Sequence, residues 1–159
     1  MMTATQARLQ PGDVPANVEF VGLDGAPVSL ESFRGTATVL YFYPAAFTPG
    51  CTTEACDFRD NLGSLAAAGY QVVGVSGDDI ETLARFSAEE SLGFALLSDP
   101  DHAAAKALGA WGEKVVGGTA MVGAIRSTFV LDAEGRILSA EYNVDPQGHV
   151  GRLRESLGA

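Results

Sequence analysis

The sequence predicts an α/β fold: a central mixed β-sheet flanked by helices, with a β-hairpin near the amino terminus. Three observations carry that prediction. "TVLYFY" (Thr38 to Tyr43) and "YQVVGVS" (Tyr70 to Ser76) are continuous β-branched and aromatic runs, the pattern of strands buried on both faces. A stretch of helix formers lies between them, so the two strands are expected to pair in parallel. Later, "STFVLD" and "RILSAEYN" flank Ala133-Glu134-Gly135, a hairpin that adds antiparallel strands to the same sheet.

The elements follow in order. Residues 1 to 17 are polar and proline-bearing, an extended arm. "VEFVGLDGAPVSL" reads as the N-terminal hairpin, because Asp24-Gly25 suits a tight turn between apolar residues. Pro44 ends the first buried strand. A helix is expected over Thr52 to Ala68, with Gly69 as its stop. After the second strand, Asp78 or Asp79 caps a helix that runs through Leu92. "FALLSD" is a short strand, and Pro100 and Asp101 open the alanine-rich helix "HAAAKAL", closed by Gly109. Residues 112 to 126, "GEKVVGGTAMVGAIR", are too glycine-rich to assign. "HVGRLRESL" is a last amphipathic helix, with Val150, Leu153 and Leu157 on one face.

At 159 residues, with 47% hydrophobic and 19% charged side chains, the chain reads as one domain over residues 1–159, large enough to bury a core. A formal charge of −10 makes nucleic acid an unsuitable partner, since the surface repels phosphate. No stretch approaches the ~18 apolar residues of a membrane helix, and no secretory leader is recognisable, so the expected location is cytoplasmic. Thiols are kept reduced there.

That matters because the chain has two cysteines, Cys51 and Cys56, both inside "YFYPAAFTPGCTTEACDFRD". A structural disulfide, a metal site and redox chemistry compete to explain them. Five residues along a helix separate Cα atoms by roughly 8–9 Å. A disulfide needs less than about 7 Å, so these thiols pair only if the helix unwinds. A static staple is therefore disfavoured. The metal reading is weak as well: His102 and His149, the two histidines, lie far apart and read as surface residues on helices. Two buried, inert thiols are the bland alternative.

If Cys51 sits in the first turn of a helix, backbone N–H groups and the helix dipole favour its thiolate. Glu54 and Asp57 oppose this with nearby negative charge, so a cation must come from elsewhere in the fold. Arg126 is the first candidate and Arg59 the second.

"PAAFTPGC" (Pro44 to Cys51) matches the P-x-x-x-T-x-x-C signature of peroxiredoxins. The surrounding "YFYPAAFTPGCTTEACDFRD", with "LLSD", "WGEK" and "RSTFVLD" in the same order, resembles the peroxiredoxin Q or bacterioferritin-comigratory-protein subfamily. The resemblance implies a thioredoxin-like fold and reduction of hydrogen peroxide and organic hydroperoxides, with no cofactor and no metal. It makes Cys51 the peroxidatic cysteine, Thr48 the hydroxyl that binds peroxide and the Cys51 sulfur, Arg126 the pocket cation and Pro44 a shield. Cys56 becomes the resolving cysteine, forming an intramolecular disulfide that thioredoxin reduces. Members of this subfamily occur as monomers and as dimers. Two rivals remain. A thioredoxin-like thiol-disulfide oxidoreductase favours C-x-x-C, but Glu54 stands where the second cysteine would be. A peroxide-sensing redox protein would use Cys51 without catalytic turnover.

Overall fold

The computed structural model describes residues 8–159. The first part of the arm expected over residues 1 to 17 lies outside them. A seven-stranded mixed sheet forms the centre, with strand order β2-β1-β5-β4-β3-β8-β9. β1 (Glu19–Gly22) and β2 (Pro27–Ser29) are the N-terminal hairpin. β3 (Ala37–Phe42) and β4 (Tyr70–Ser76) pair in parallel, and β4 pairs in parallel with β5 (Ala95–Ser98). β8 (Ser127–Leu131) and β9 (Ile137–Tyr142) form the late hairpin, with β8 antiparallel to β3. The parallel centre with antiparallel edges is the mixed sheet that the sequence pattern predicts.

β3 is buried on both faces because its neighbours are helices on one side and a second apolar layer on the other. Val39, Tyr41 and Tyr43 face a core built from α1 (Pro49–Asp60), α2 (Leu62–Ala67), α3 (Ile80–Glu90) and α5 (His149–Leu157). Leu40 and Phe42 face the opposite layer, which includes Phe20, Phe129 and residues of α4 (Ala103–Ala107). Phe58 of α1 is fully buried and stacks on Tyr41 with ring centroids 4.5 Å apart. Full burial of such a side chain contributes about 1.5–3 kcal/mol. It fixes α1, and with it the two cysteines, against the central strand.

Three expectations change. The helix after β3 begins at Pro49 rather than Thr52 and breaks at Asn61, so α1 and α2 are separate. Proline is well suited to that first position, where its missing N–H has no helical partner to lose. The alanine-rich helix is shorter than expected, because Asp101 and His102 take left-handed backbone angles before α4 starts. The unassigned glycine-rich segment is a hairpin of β6 (Trp111–Val116) and β7 (Thr119–Ala124), separate from the main sheet. Its turn is Gly117-Gly118, both at positive φ, which a tight hairpin demands and side chains resist. No helix among the described residues is long and apolar enough to cross a membrane.

Candidate active site

Cys51 is the third residue of α1, and its residue is 99% buried at a relative exposure of 1%. The local sequence dictates its surroundings. Pro49 has no N–H, and the Thr52 N–H bonds to the Thr48 carbonyl at 2.8 Å. The N–H groups of Gly50 and Cys51 are therefore left without acceptors inside the helix. They point, with the positive end of the helix dipole, toward the helix start. Both cysteines are free thiols within one uninterrupted helix.

Arg126, in the link between β7 and β8, reaches this point. Its Nη2 donates to Cys51 Sγ at 3.3 Å, and its Nη1 donates to Glu54 Oε1 at 2.8 Å. Burial works against the guanidinium charge, but Glu54 and the Cys51 sulfur more than offset it and raise the arginine above its usual value. Gly50 makes this approach possible. A Cβ at that position would stand 3.2 Å from Arg126 Nη2 and 3.2 Å from Pro146 Cγ.

Glu54 corrects an expectation. It adds no free negative charge, because it is completely buried and both oxygens are engaged. Oε1 accepts from Arg126, and Oε2 lies 3.0 Å from His149 Nδ1. A lone buried carboxylate costs several kcal/mol; a guanidinium on one oxygen and an imidazole on the other offset that cost. His149 is corrected with it. It is buried at 1% exposure rather than on the surface, with its ring edge-on to Phe58. Where Oε2 accepts, the imidazole tautomer that makes this contact carries its proton on Nδ1. His102, also expected at the surface, is partly buried and packs on Trp111 with centroids 4.6 Å apart.

The other named residues sit as follows. Thr48 caps α1 with its backbone while its hydroxyl donates to the Ala45 carbonyl at 2.7 Å. No hydrogen bond joins that hydroxyl to Cys51 among the described residues, so its lone pairs are available to accept. Pro44 lines a cleft together with Lys114, Val115, Val144 and Arg126. Arg126, whose guanidinium touches the sulfur, is thus one of the residues that line an open cleft. Arg59 is at the other end of α1, on Asp60 at 3.0 Å and on the Glu90 carbonyl at 2.7 Å. Cys56 is partly exposed and donates to Glu90 Oε1 at 3.3 Å; burial and then that carboxylate push its thiol up.

The loop that carries Pro44 and Thr48 is held from below. Asp78 accepts from the Ala46 N–H at 2.8 Å and from the Ser76 hydroxyl at 2.7 Å, while Asp79 is the residue that caps α3. Sequence reading missed Gly50, Asp78 and the pairing role of Glu54. Only Glu54 left a signal: three residues after Cys51, it shares a helix face with it.

Residues 11–140 match the AhpC/TSA family along most of the chain. The chain belongs to the AhpC/TSA family. A relative from Mycobacterium tuberculosis is 52% identical over 98% of this chain and 99% of its own length. Peroxiredoxin Bcp of Escherichia coli is 44% identical, covering 81% of this AhpC/TSA chain and 83% of its own. Among solved structures, peroxiredoxin Q of Xanthomonas campestris superposes with a TM-score of 0.83 at 34% identity, covering 92% of this chain and 94% of the other. The thioredoxin-like fold is shared with these AhpC/TSA relatives.

Proposed function

We propose that the protein is a thiol peroxidase in which Cys51 attacks hydrogen peroxide and organic hydroperoxides. One observation carries the reading: a permanently charged guanidinium lies 3.3 Å from the sulfur of a cysteine in the first turn of α1, at the positive end of the helix dipole. The Cys51 thiolate attacks one peroxide oxygen, the S–O bond forms and the O–O bond breaks. The leaving oxygen takes a proton from solvent water and departs as water or an alcohol, leaving Cys51 as the sulfenic acid. Negative charge grows on both oxygens during this step, so donors already aimed there lower the barrier. Arg126 serves because its forked donors reach sulfur and oxygen together. Thr48, whose own proton is committed to Ala45, accepts a hydrogen bond from the hydroperoxide O–H and so orients the substrate. Pro44 limits water at the mouth of the cleft.

Cys51 then carries sulfenic acid, the reversible first rung of thiol oxidation. The Cys56 thiol condenses with it: the S–O bond breaks, the 51–56 S–S bond forms and water leaves. A dithiol of the thioredoxin class returns both sulfurs to thiols, at the expense of its own oxidation to a disulfide. The Xanthomonas campestris bacterioferritin comigratory protein, 34% identical with a TM-score of 0.83, is described for alkyl peroxide reduction, which supports organic hydroperoxides as substrates here.

The test is steady-state peroxide consumption coupled to thioredoxin and its NADPH-dependent reductase. Wild type turns over with hydrogen peroxide and with tert-butyl hydroperoxide, and Cys51→Ser does not. A single stoichiometric oxidation without turnover, under conditions that keep thioredoxin reduced, would instead make the protein a sensor.

A further inference from the structure

Glu54 lies between the two cysteines, three residues after Cys51 and two before Cys56. We propose that His149, through its contact with Glu54, is a latch that holds α1 wound and so sets the rate at which the 51–56 bond forms. The proposal rests on the reading of Cys56 as the thiol that condenses with oxidised Cys51.

The argument begins with geometry. Helical spacing keeps the two Cα atoms roughly 8–9 Å apart, beyond disulfide reach. Cys51 Sγ faces Arg126, whereas Cys56 Sγ faces Glu90 on α3. Condensation therefore requires unwinding of the backbone that joins them, and that backbone includes Glu54. When it unwinds, the carboxylate leaves its buried seat. Arg126 Nη1 loses its acceptor at 2.8 Å, and His149 Nδ1 loses its acceptor at 3.0 Å.

The two partners differ in what they do. Arg126 also touches the reacting sulfur, so its bond to Glu54 belongs to the peroxide step. Among the described residues, His149 makes no hydrogen bond to either sulfur, and its Nε2 is buried without a partner, so Nδ1 to Glu54 is the one polar contact of its ring there. It stands at the first position of α5, a helix whose Val150 and Leu153 are anchored in the same core as Phe58. His149 thus ties the segment that must move to an element that stays. It is a positioning residue: it acts on the reaction only through Glu54.

The experiment follows wild type and variants after one equivalent of hydrogen peroxide, quenching at intervals and counting free thiols and 51–56 disulfide by mass spectrometry. His149→Phe keeps a ring against Phe58 but removes the donor. Disulfide formation from the sulfenic acid is expected to accelerate about tenfold, the value of one charge-assisted hydrogen bond. His149→Asn, which restores an N–H near the position of Nδ1, returns the rate toward wild type. Leu96→Ala weakens the same core from β5, outside α1 and α5, and leaves the rate within about twofold, which separates the latch from general loosening. Should His149→Phe fail to fold, His149→Met, which also lacks the donor and leaves Glu54 with Arg126, must show the same acceleration.

An unchanged or slower condensation in His149→Phe, or equal acceleration in Leu96→Ala, overturns the latch while the proposed chemistry stands. Absence of any 51–56 bond in wild type overturns the role given to Cys56, and the latch with it.

Discussion

Gly50 and Arg126 are in contact: an added Cβ at Gly50 would sit 3.2 Å from the guanidinium Nη2, the same nitrogen that donates to Cys51. The glycine next to the cysteine is thus needed for the room it leaves, not for an unusual backbone. Gly50→Ala should push Arg126 off the sulfur by a few tenths of an ångström. The expected loss is about tenfold in the rate of peroxide reduction, with the fold intact, because small displacements of a positioned group are costly. Stopped-flow peroxide kinetics with a thermal melt as control check this.

Arg126 itself should not tolerate lysine. One ammonium cannot hold Glu54 Oε1 and Cys51 Sγ with two diverging donors as the guanidinium does. Arg126→Lys is expected to lose roughly a hundredfold in kcat/KM for hydrogen peroxide. Wild-type rates in this variant would show that charge alone suffices.

Thr48 gives a sharper chemical test. Its hydroxyl donates to Ala45, so it can serve peroxide only as an acceptor. Thr48→Val removes the oxygen at constant shape and should cost roughly a hundredfold, whereas Thr48→Ser should stay within about threefold. Equal losses in both would assign the position to turn geometry alone.

The Cys56 thiol is held protonated by burial first and by the Glu90 carboxylate second. A raised value means that the reactive thiolate appears only above the usual thiol range. In a Cys51→Ser background, iodoacetamide alkylation of Cys56 should be slow at neutral pH and rise with a midpoint above that range. Glu90→Gln should move the midpoint down, though not fully, since burial remains. The linked stability contribution is fully present below the unfolded thiol value and is lost as pH rises through the folded one. Urea unfolding of the same variant across that window reads it.

Phe58 predicts a stability effect without chemistry. It is fully buried, stacked on Tyr41 and edge-on to His149. Phe58→Ala should destabilise by about 3–5 kcal/mol in equilibrium unfolding.

The sheet was legible because its central strands carry continuous apolar runs, and β3 really is packed on both sides through Val39, Tyr41 and Tyr43 against Leu40 and Phe42. The approach of Arg126 to Cys51 was legible for a different reason, since both residues stand in short local motifs, whereas the helix start at Pro49, three residues before the expected Thr52, was not. Residues 112–126 resisted assignment because a free-standing hairpin exposes Val115 and Val122, so neither strand shows the alternation that burial imposes. His149 was misread since an amphipathic helix normally begins with polar, solvated residues, and nothing near it in the chain announces Glu54, 95 residues earlier. Long-range pairing of this kind leaves no periodicity to detect.

The most direct measurement of the central claim is the site of oxidation. Cys56→Ser protein is exposed to one equivalent of hydrogen peroxide in the presence of dimedone, which labels sulfenic acid, and is digested for mass spectrometry. The account predicts stoichiometric label on the Cys51 peptide and peroxide loss at the wild-type initial rate. Unlabelled Cys51, or unchanged peroxide consumption by Cys51→Ser, would contradict it.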